Sequence, residues 1–423
     1  MISILKTEIE SKINRTLLGR GDCEYLSKRI IEETGNSLSY NTLKRVFKID
    51  AKSNVKPRES TLNVLSTFIG YNSYEDFKKE KSWSTEWFLQ LKVNGLIDRI
   101  DEKEILFELS SPWILKKDFL VSFVTLIREL FFLTKIDLID VIFKKGIVKF
   151  NTLSYSESLY LGNGIGSIMR KTPLTDENLY KLLCNYNFLN FVFLTFVDYN
   201  SLVGYYGKLN EIITTNSINL KSDQREFFKA IVTLRDVLMT KKIKSINYFK
   251  KNMDTFHPIL IGRLASLEIA FRVQSNMEYN DVLEDISLKM NSNKNKNMDY
   301  LYELNTISLL LADFELMDWI CKSMQYSNIN ESYQLAHQQY FFLVSLILSI
   351  KQDDKKNIFK YEKLIKKNER QLSYYDFFEL FWLIASYHSN KEKKKEKLNL
   401  IRRITTKMNY PIFNDEYIIN YFN

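Results

Sequence analysis

Glycine and proline are scarce, with 12 and 5 in 423 residues. A turn-rich all-β fold needs more of both, so that class is disfavoured at once. Cysteine is scarcer still. Cys23, Cys184 and Cys321 are odd in number and far apart, which supports neither a disulfide framework nor a zinc cluster and fits a reducing cytoplasm. The three histidines, His257, His337 and His388, stand alone at no metal-ligand spacing, and each is expected to be structural. No apolar run reaches the roughly 20 residues of a membrane span. The richest windows, Phe119–Leu133 and Tyr340–Ile350, are short, and Arg128 and Glu129 interrupt the first. The opening Met1–Glu10 carries acids where an export signal needs a basic end and an unbroken apolar stretch, so none is expected.

What is present points to helices. A chain that is 45% hydrophobic and 14% aromatic can bury a large core and divide into two or three domains. Its abundance of Leu, Ile, Lys, Glu and Asn suits long helices joined by polar turns, and the expected class is all-α. The net charge of +9 permits contact with a polyanion, but only its distribution can say where. Lysine and asparagine richness is equally what an A+T-rich genome would give.

The first 81 residues have the most specific pattern. Ile2, Leu5, Ile9 and Ile13 form one helical stripe, with Lys6, Glu8, Glu10 and Lys12 largely outside it. Asp22 can cap the next helix, whose inner face is Leu26, Ile30 and Ile31 and whose end is Gly35. Ser39 can start another after a very short turn. In that helix Leu43, Val46 and Phe47 face one way, and Tyr40, Asn41, Lys44, Arg45 and Lys48 the other. An amide, a phenol and several cations on one exposed face suit a DNA major groove and its phosphates. From Lys44 to Arg58 there are six basic residues, Lys44, Arg45, Lys48, Lys52, Lys56 and Arg58, against one acid, Asp50. Pro57 precedes a helix with Leu62, Leu65 and Ile69 at core spacing and Gly70 as its stop, and Ser73-x-x-Asp76 reads as a capping box before Tyr74 and Phe77. The plainer use of this bundle is protein contact, with its cations on an ordinary solvated face.

Gly35 to Phe47, followed by Pro57-x-x-x-Thr61-Leu62-x-x-Leu65-x-x-x-Ile69-Gly70, resembles the phage-repressor and Cro-like helix-turn-helix class over residues 22 to 78. The loop from Lys48 to Lys56 is longer and more basic than is usual there. The resemblance implies that Ser39, Tyr40, Asn41, Lys44 and Arg45 lie at a DNA surface and that Leu43 and Phe47 are core.

Trp83, Trp87 and Phe88 mark a junction without a flexible linker, so the two parts are expected to pack together. Beyond it, Ile147–Leu153 is the only plausible strand. Helices are expected to begin near Ser222, His257, Met298, Glu331 and Ser373, each followed by a second one, at Ile243–Met253, Asp281–Met290, Leu316–Met324, Lys355–Lys367 and Lys393–Met408. A spacing of 33 to 42 residues is that of a stacked helical array. In architecture alone this resembles the tetratricopeptide-like class, with Ala265, Ala270, Ala336 and Ala385 where close helix approach needs small residues; HEAT-type pairing is the alternative. The whole expectation is an N-terminal helix-turn-helix bundle, residues 1–81, followed by a tetratricopeptide-like α-solenoid, residues 82–423, open to subdivision near residue 216. That domain order is similar to the peptide-sensing bacterial regulators, which implies a ligand groove and a homodimer. Asn190, Asn305, Gln334 and Gln338 could then bond a peptide or protein ligand, with solvated helix faces as their plainer use.

No catalytic set stands out. Gly162, Gly164 and Gly166 form a glycine run without the Lys-Ser/Thr of a phosphate loop, so close helix packing, or a kink, is their expected role. Cys184 and Cys321 are expected to be buried and inert. Lys391–Lys397 reads as a solvated helix start with internal Glu–Lys pairs. The expectation is a non-enzymatic cytoplasmic regulator that binds double-stranded DNA, with no cofactor, no metal and no membrane association. The alternative is a non-catalytic interaction scaffold of an anti-phage or stress system.

Overall fold

The computed structural model describes residues 1–49, 57–99, 101–109, 119–144, 150–169, 171–195, 197, 199–200, 202–240, 242–243, 253, 256–292, 296–324, 333–365, 375–389 and 394–423. Among them the chain is all-α: every extended element is a helix and no strand occurs. No described helix is long and apolar enough to cross a membrane. The chain divides into two compact units, the first comprising Met1–Ile100 and Lys116–Ser122 and the second Asp101–Leu115 and Phe123–Asn423.

The first unit contains α1 (Ile2–Lys12), α2 (Arg20–Thr34), α3 (Tyr40–Phe47), α4 (Glu59–Phe68) and α5 (Tyr74–Arg99). Leu5 and Ile9 of the α1 stripe are buried against Leu26, Ile30, Leu43 and Leu65. Ile31, by contrast, is 46% exposed, and Cys23 takes the inner position one turn before Leu26. Asp22 sits at the third position of α2, not at its cap, and accepts the backbone N–H groups of Leu18 and Gly19. Those two bonds hold its carboxyl below the usual range. Gly35 ends α2 in the left-handed region, where φ is 69° and a side chain would be strained. Ser73 caps α5 through the Asp76 N–H. α5 then continues without a break through residue 81, so a boundary placed there falls inside a helix. Trp87 on it is exposed, while the side chains of Trp83 and Phe88 lie outside the described residues.

The second unit opens with α6 (Glu102–Leu109), α7 (Phe119–Phe132), α8 (Ile136–Lys144) and α9 (Tyr155–Met169). The strand expected at Ile147–Leu153 is not one: Phe150–Thr152 is a 3-10 turn whose Phe150 stacks on Phe143, and residues 147–149 lie outside the described set. Next come α10 (Asp176–Cys184), a short α11 (Tyr186–Phe188) running into a π turn at Leu189–Phe193, and α12 (Tyr205–Thr215).

The remainder alternates long and short helices. The long ones are α13 (Ser222–Thr240), α14 (Pro258–Gln274), α16 (Asn297–Leu311), α18 (Gln334–Lys351) and α20 (Tyr375–Ser389). Between and after them lie α15 (Asn280–Ser292), α17 (Phe314–Met324), α19 (Lys355–Leu364), α21 (Lys394–Met408) and α22 (Asp415–Ile419). α14 packs on α16, α16 on α18 and α18 on α20, while each of α15, α17, α19 and α21 leans on the long helix before it. The expected partner of α13, Ile243–Met253, lies almost wholly outside the described residues, as do Glu331 and Ser373. Ala265, Ala270 and Ala385 are buried as close approach requires, and Ala336 is half-buried. α14 and α16 approach closely at Gly262, where an added Cβ would stand 2.2 Å from the Tyr300 carbonyl oxygen. The chain then folds back on the array. Tyr417 and Tyr421 donate to the carbonyls of Leu309 and Leu310 at the end of α16, and Tyr410 donates to Tyr199 O while accepting from Leu202 N.

Candidate nucleic-acid interface and a buried polar centre

α3 is an eight-residue helix that could not persist alone in water. Leu43 and Val46 anchor it in the core, and Ser39 caps it, accepting the Thr42 N–H at 3.2 Å and meeting the Thr42 hydroxyl at 2.9 Å. The cap commits the Ser39 hydroxyl to the helix. Asn41, Arg45 and Lys48 are exposed and Lys44 is half-buried. Tyr40 departs from the expected face. Three residues before Leu43, it shares the inner stripe, packs partly against the core and lies 4.7 Å beneath the Arg20 guanidinium. Phe47 is also only partly buried, with the Lys6 ammonium 5.7 Å over its ring.

The helix ends at Lys48, which adopts φ 56° and donates its N–H to Arg45 O. Its charge lies close to Lys6. Partial burial first, and Lys48 second, hold the Lys6 ammonium below its ordinary pKa, while Glu10 pulls the other way. Lys6 thus joins the basic surface, although the sequence pattern marks it only as outside the α1 stripe. Elsewhere in this unit several cations are paired, Lys12 and Arg29 with Glu33, Arg15 with Asp22, Arg20 with Glu24 and Lys81 with Glu8, while Lys28 and Lys78 are not among the described residues' ion pairs. Arg45, Lys48 and Arg58 have no acidic partner among the described residues. Lys52 and Lys56, the other two expected phosphate contacts, lie outside the described residues.

The second unit holds a different kind of chemistry. α16 is buried on every side and carries Asp299, Glu303, Asn305 and Thr306 into the interior. The Glu303 carboxylate accepts from the Arg263 guanidinium at 2.6 Å and from the Tyr199 hydroxyl, so this buried charge is balanced on both oxygens. Asp299 accepts from the Tyr333 hydroxyl at 3.0 Å, with Lys296 3.7 Å away. His337 stacks on Tyr302 with centroids 3.9 Å apart, and its Nδ1 is 3.6 Å from Asp299 Oδ1. Burial foremost, then the nearby His257, pushes the His337 pKa down to about 3, so the ring is neutral at pH 7.

This centre was not read from the sequence. Asn305 and Gln334, read either as inner-face ligand contacts or as solvated helix faces, are buried, and the Asn305 amide donates to Leu301 O. Asn190 and Gln338 are half-buried, and Asn190 accepts from Gln224 at 3.0 Å. Cys184, expected to be buried, is exposed; Cys321 is partly buried beside Ser345, and burial pushes its thiol up to about 11. The glycine run lies within α9, not before a helix. Cβ atoms there would meet Thr195 Oγ1 at 1.9 Å from Gly162 and Val124 Cγ1 at 2.5 Å from Gly164, so these glycines serve packing. Compared with family models, with curated proteins and with solved structures, the chain finds no significant match.

Proposed function

We propose that the chain is a sequence-specific DNA-binding transcriptional regulator, in which α3 enters the major groove and the helical array of the second unit mediates dimerisation and the sensing of a ligand or partner. The observation that carries this reading is the exposed polar and basic face of α3, with Asn41, Arg45 and Lys48 turned to solvent. Arg45, Lys48 and Arg58 have no carboxylate partner among the described residues, as is also true of Lys28 and Lys78 elsewhere in the unit. Cations left without internal partners are what a phosphate backbone requires. Asn41 and Arg45, exposed on α3, are the side chains suited to base edges, since an amide pairs with adenine and a guanidinium with guanine. Lys44, Lys48 and Arg58 take phosphate, with Lys52 and Lys56 in the same basic run. A homodimer would read a two-fold related site.

The test is a titration of wild type and the Lys44→Ala, Arg45→Ala double variant against genomic DNA fragments, with circular dichroism to show that helicity is kept. Losing one base contact and one phosphate contact should weaken specific binding about 10- to 100-fold. Unchanged affinity would exclude α3 as the reading helix. Purification at low salt with a stoichiometric protein companion, and no nucleic acid, would favour the interaction-scaffold reading.

A further inference from the structure

Within the second unit, α9, α13, α14, α16 and α18 enclose a cavity of about 220 Å³. Its apolar walls include Leu159, Leu194 and Phe227, and its polar residues include Asp223, Gln224, His257, His337 and the Arg263–Glu303 pair. The hydrogen-bond network assigns the two imidazoles opposite roles. His257 Nδ1 accepts the Ile259 N–H, which leaves Nε2–H as a donor. His337 Nδ1 lies 3.6 Å from Asp299 Oδ1, beyond hydrogen-bond length, and the carboxylate favours a proton on that nitrogen, which leaves Nε2 as the acceptor. The two rings are near enough for the charge of one to bear on the other. A neutral acceptor and a neutral donor therefore line one aromatic cavity. Arg263 and Glu303 balance each other and Asp223 adds a further negative charge to the lining, so an anionic ligand would be held there without a counter-charge.

We propose that this cavity binds a small, uncharged, planar heterocycle carrying neighbouring hydrogen-bond donor and acceptor atoms, of the nucleobase or nucleoside class. Its edge bonds His257 and His337, and its faces lie against the apolar walls at Leu159 and Leu194. The volume suits such a molecule, and apolar walls with a few placed polar groups are the usual composition of a small-molecule site. The inference concerns the second unit alone and stands whether or not the first unit binds DNA.

The experiment is calorimetric titration of the full chain with adenine, guanine, cytosine and uracil, with their nucleosides, and with the matching nucleoside monophosphates as charged controls. Saturable binding of at least one uncharged base or nucleoside, tighter than its monophosphate, is expected. His337→Phe keeps the ring and its stacking but removes the acceptor, and should weaken binding about tenfold or more, equivalent to ~1.4 kcal/mol. The same variant should raise the melting temperature of the unliganded protein, because it removes a buried polar atom without a partner; a merely structural histidine would lower it. Leu194→Phe narrows the cavity from a half-buried wall position and should weaken binding by a similar factor. Absence of heat with every base and nucleoside at millimolar concentration, preference for the monophosphates, or undiminished binding by both variants would overturn the proposal.

Discussion

At the scale of single residues, two positions carry measurable consequences. Lys48 closes α3 in the left-handed region at φ 56°, a conformation that glycine adopts without strain. Lys48→Gly should therefore stabilise the first unit by about 1 kcal/mol, read as a higher denaturant midpoint, while it weakens binding to any polyanion. His337 gives the second. Its folded pKa of about 3 lies below the ordinary 6.5, so the unfolded chain takes up a proton at this site first as pH falls. Stability attributable to it is intact above pH 6.5 and is lost progressively toward pH 3. Unfolding free energies from urea titrations at pH 7 and pH 5 should differ by about 2 kcal/mol from this residue alone, a difference that His337→Phe abolishes. Asp299, His257, Tyr302 and Tyr333 are the groups packed nearest the ring, and His257, pushed down to about 4 chiefly by burial, adds to the slope in that range.

At the scale of elements, the sequence is legible where a helix has one apolar side. α1, α3 and α4 show a stripe at helical spacing, and their anchors Leu5, Ile9, Leu43 and Leu65 are the buried ones. The start of α3 is legible for a local reason as well, since Ser39 caps through a residue three positions on. α16 is the opposite case. Buried all round, it has no amphipathic stripe, and its Asp299 and Glu303 look like solvated charges until Arg263, Tyr199 and Tyr333 are brought to them from far along the chain. Tyr40 and Ile31 were misplaced because a shift of one residue turns a side chain by ~100° about the helix, enough to exchange inner and outer faces. Gly262 tests the packing that results. A Cβ there would press on the Tyr300 carbonyl, which is backbone and cannot swing away, so Gly262→Ala should separate α14 from α16 and cost about 1–3 kcal/mol in thermal or urea unfolding. A neutral outcome would mean that the two helices do not meet at this point.

At the scale of the whole molecule, the account assigns recognition to the first unit and sensing to the second. Recognition of phosphate by cations has a distinct signature: the logarithm of affinity should fall linearly with the logarithm of salt concentration, with a slope near −0.9 per phosphate neutralised. Lys44, Lys48 and Arg58 set a minimum slope of about −3 per protomer, and Lys52 and Lys56 would steepen it. Protein-only contact would give a shallower and less regular dependence. The central claim is sequence-specific DNA binding by α3, and the most direct measurement is selection of bound sequences from a random DNA pool by the full chain. The account predicts enrichment of one consensus with two-fold symmetry, lost in the Lys44→Ala, Arg45→Ala variant. A pool that stays unenriched after repeated rounds, or a consensus that the variant selects equally well, would contradict it.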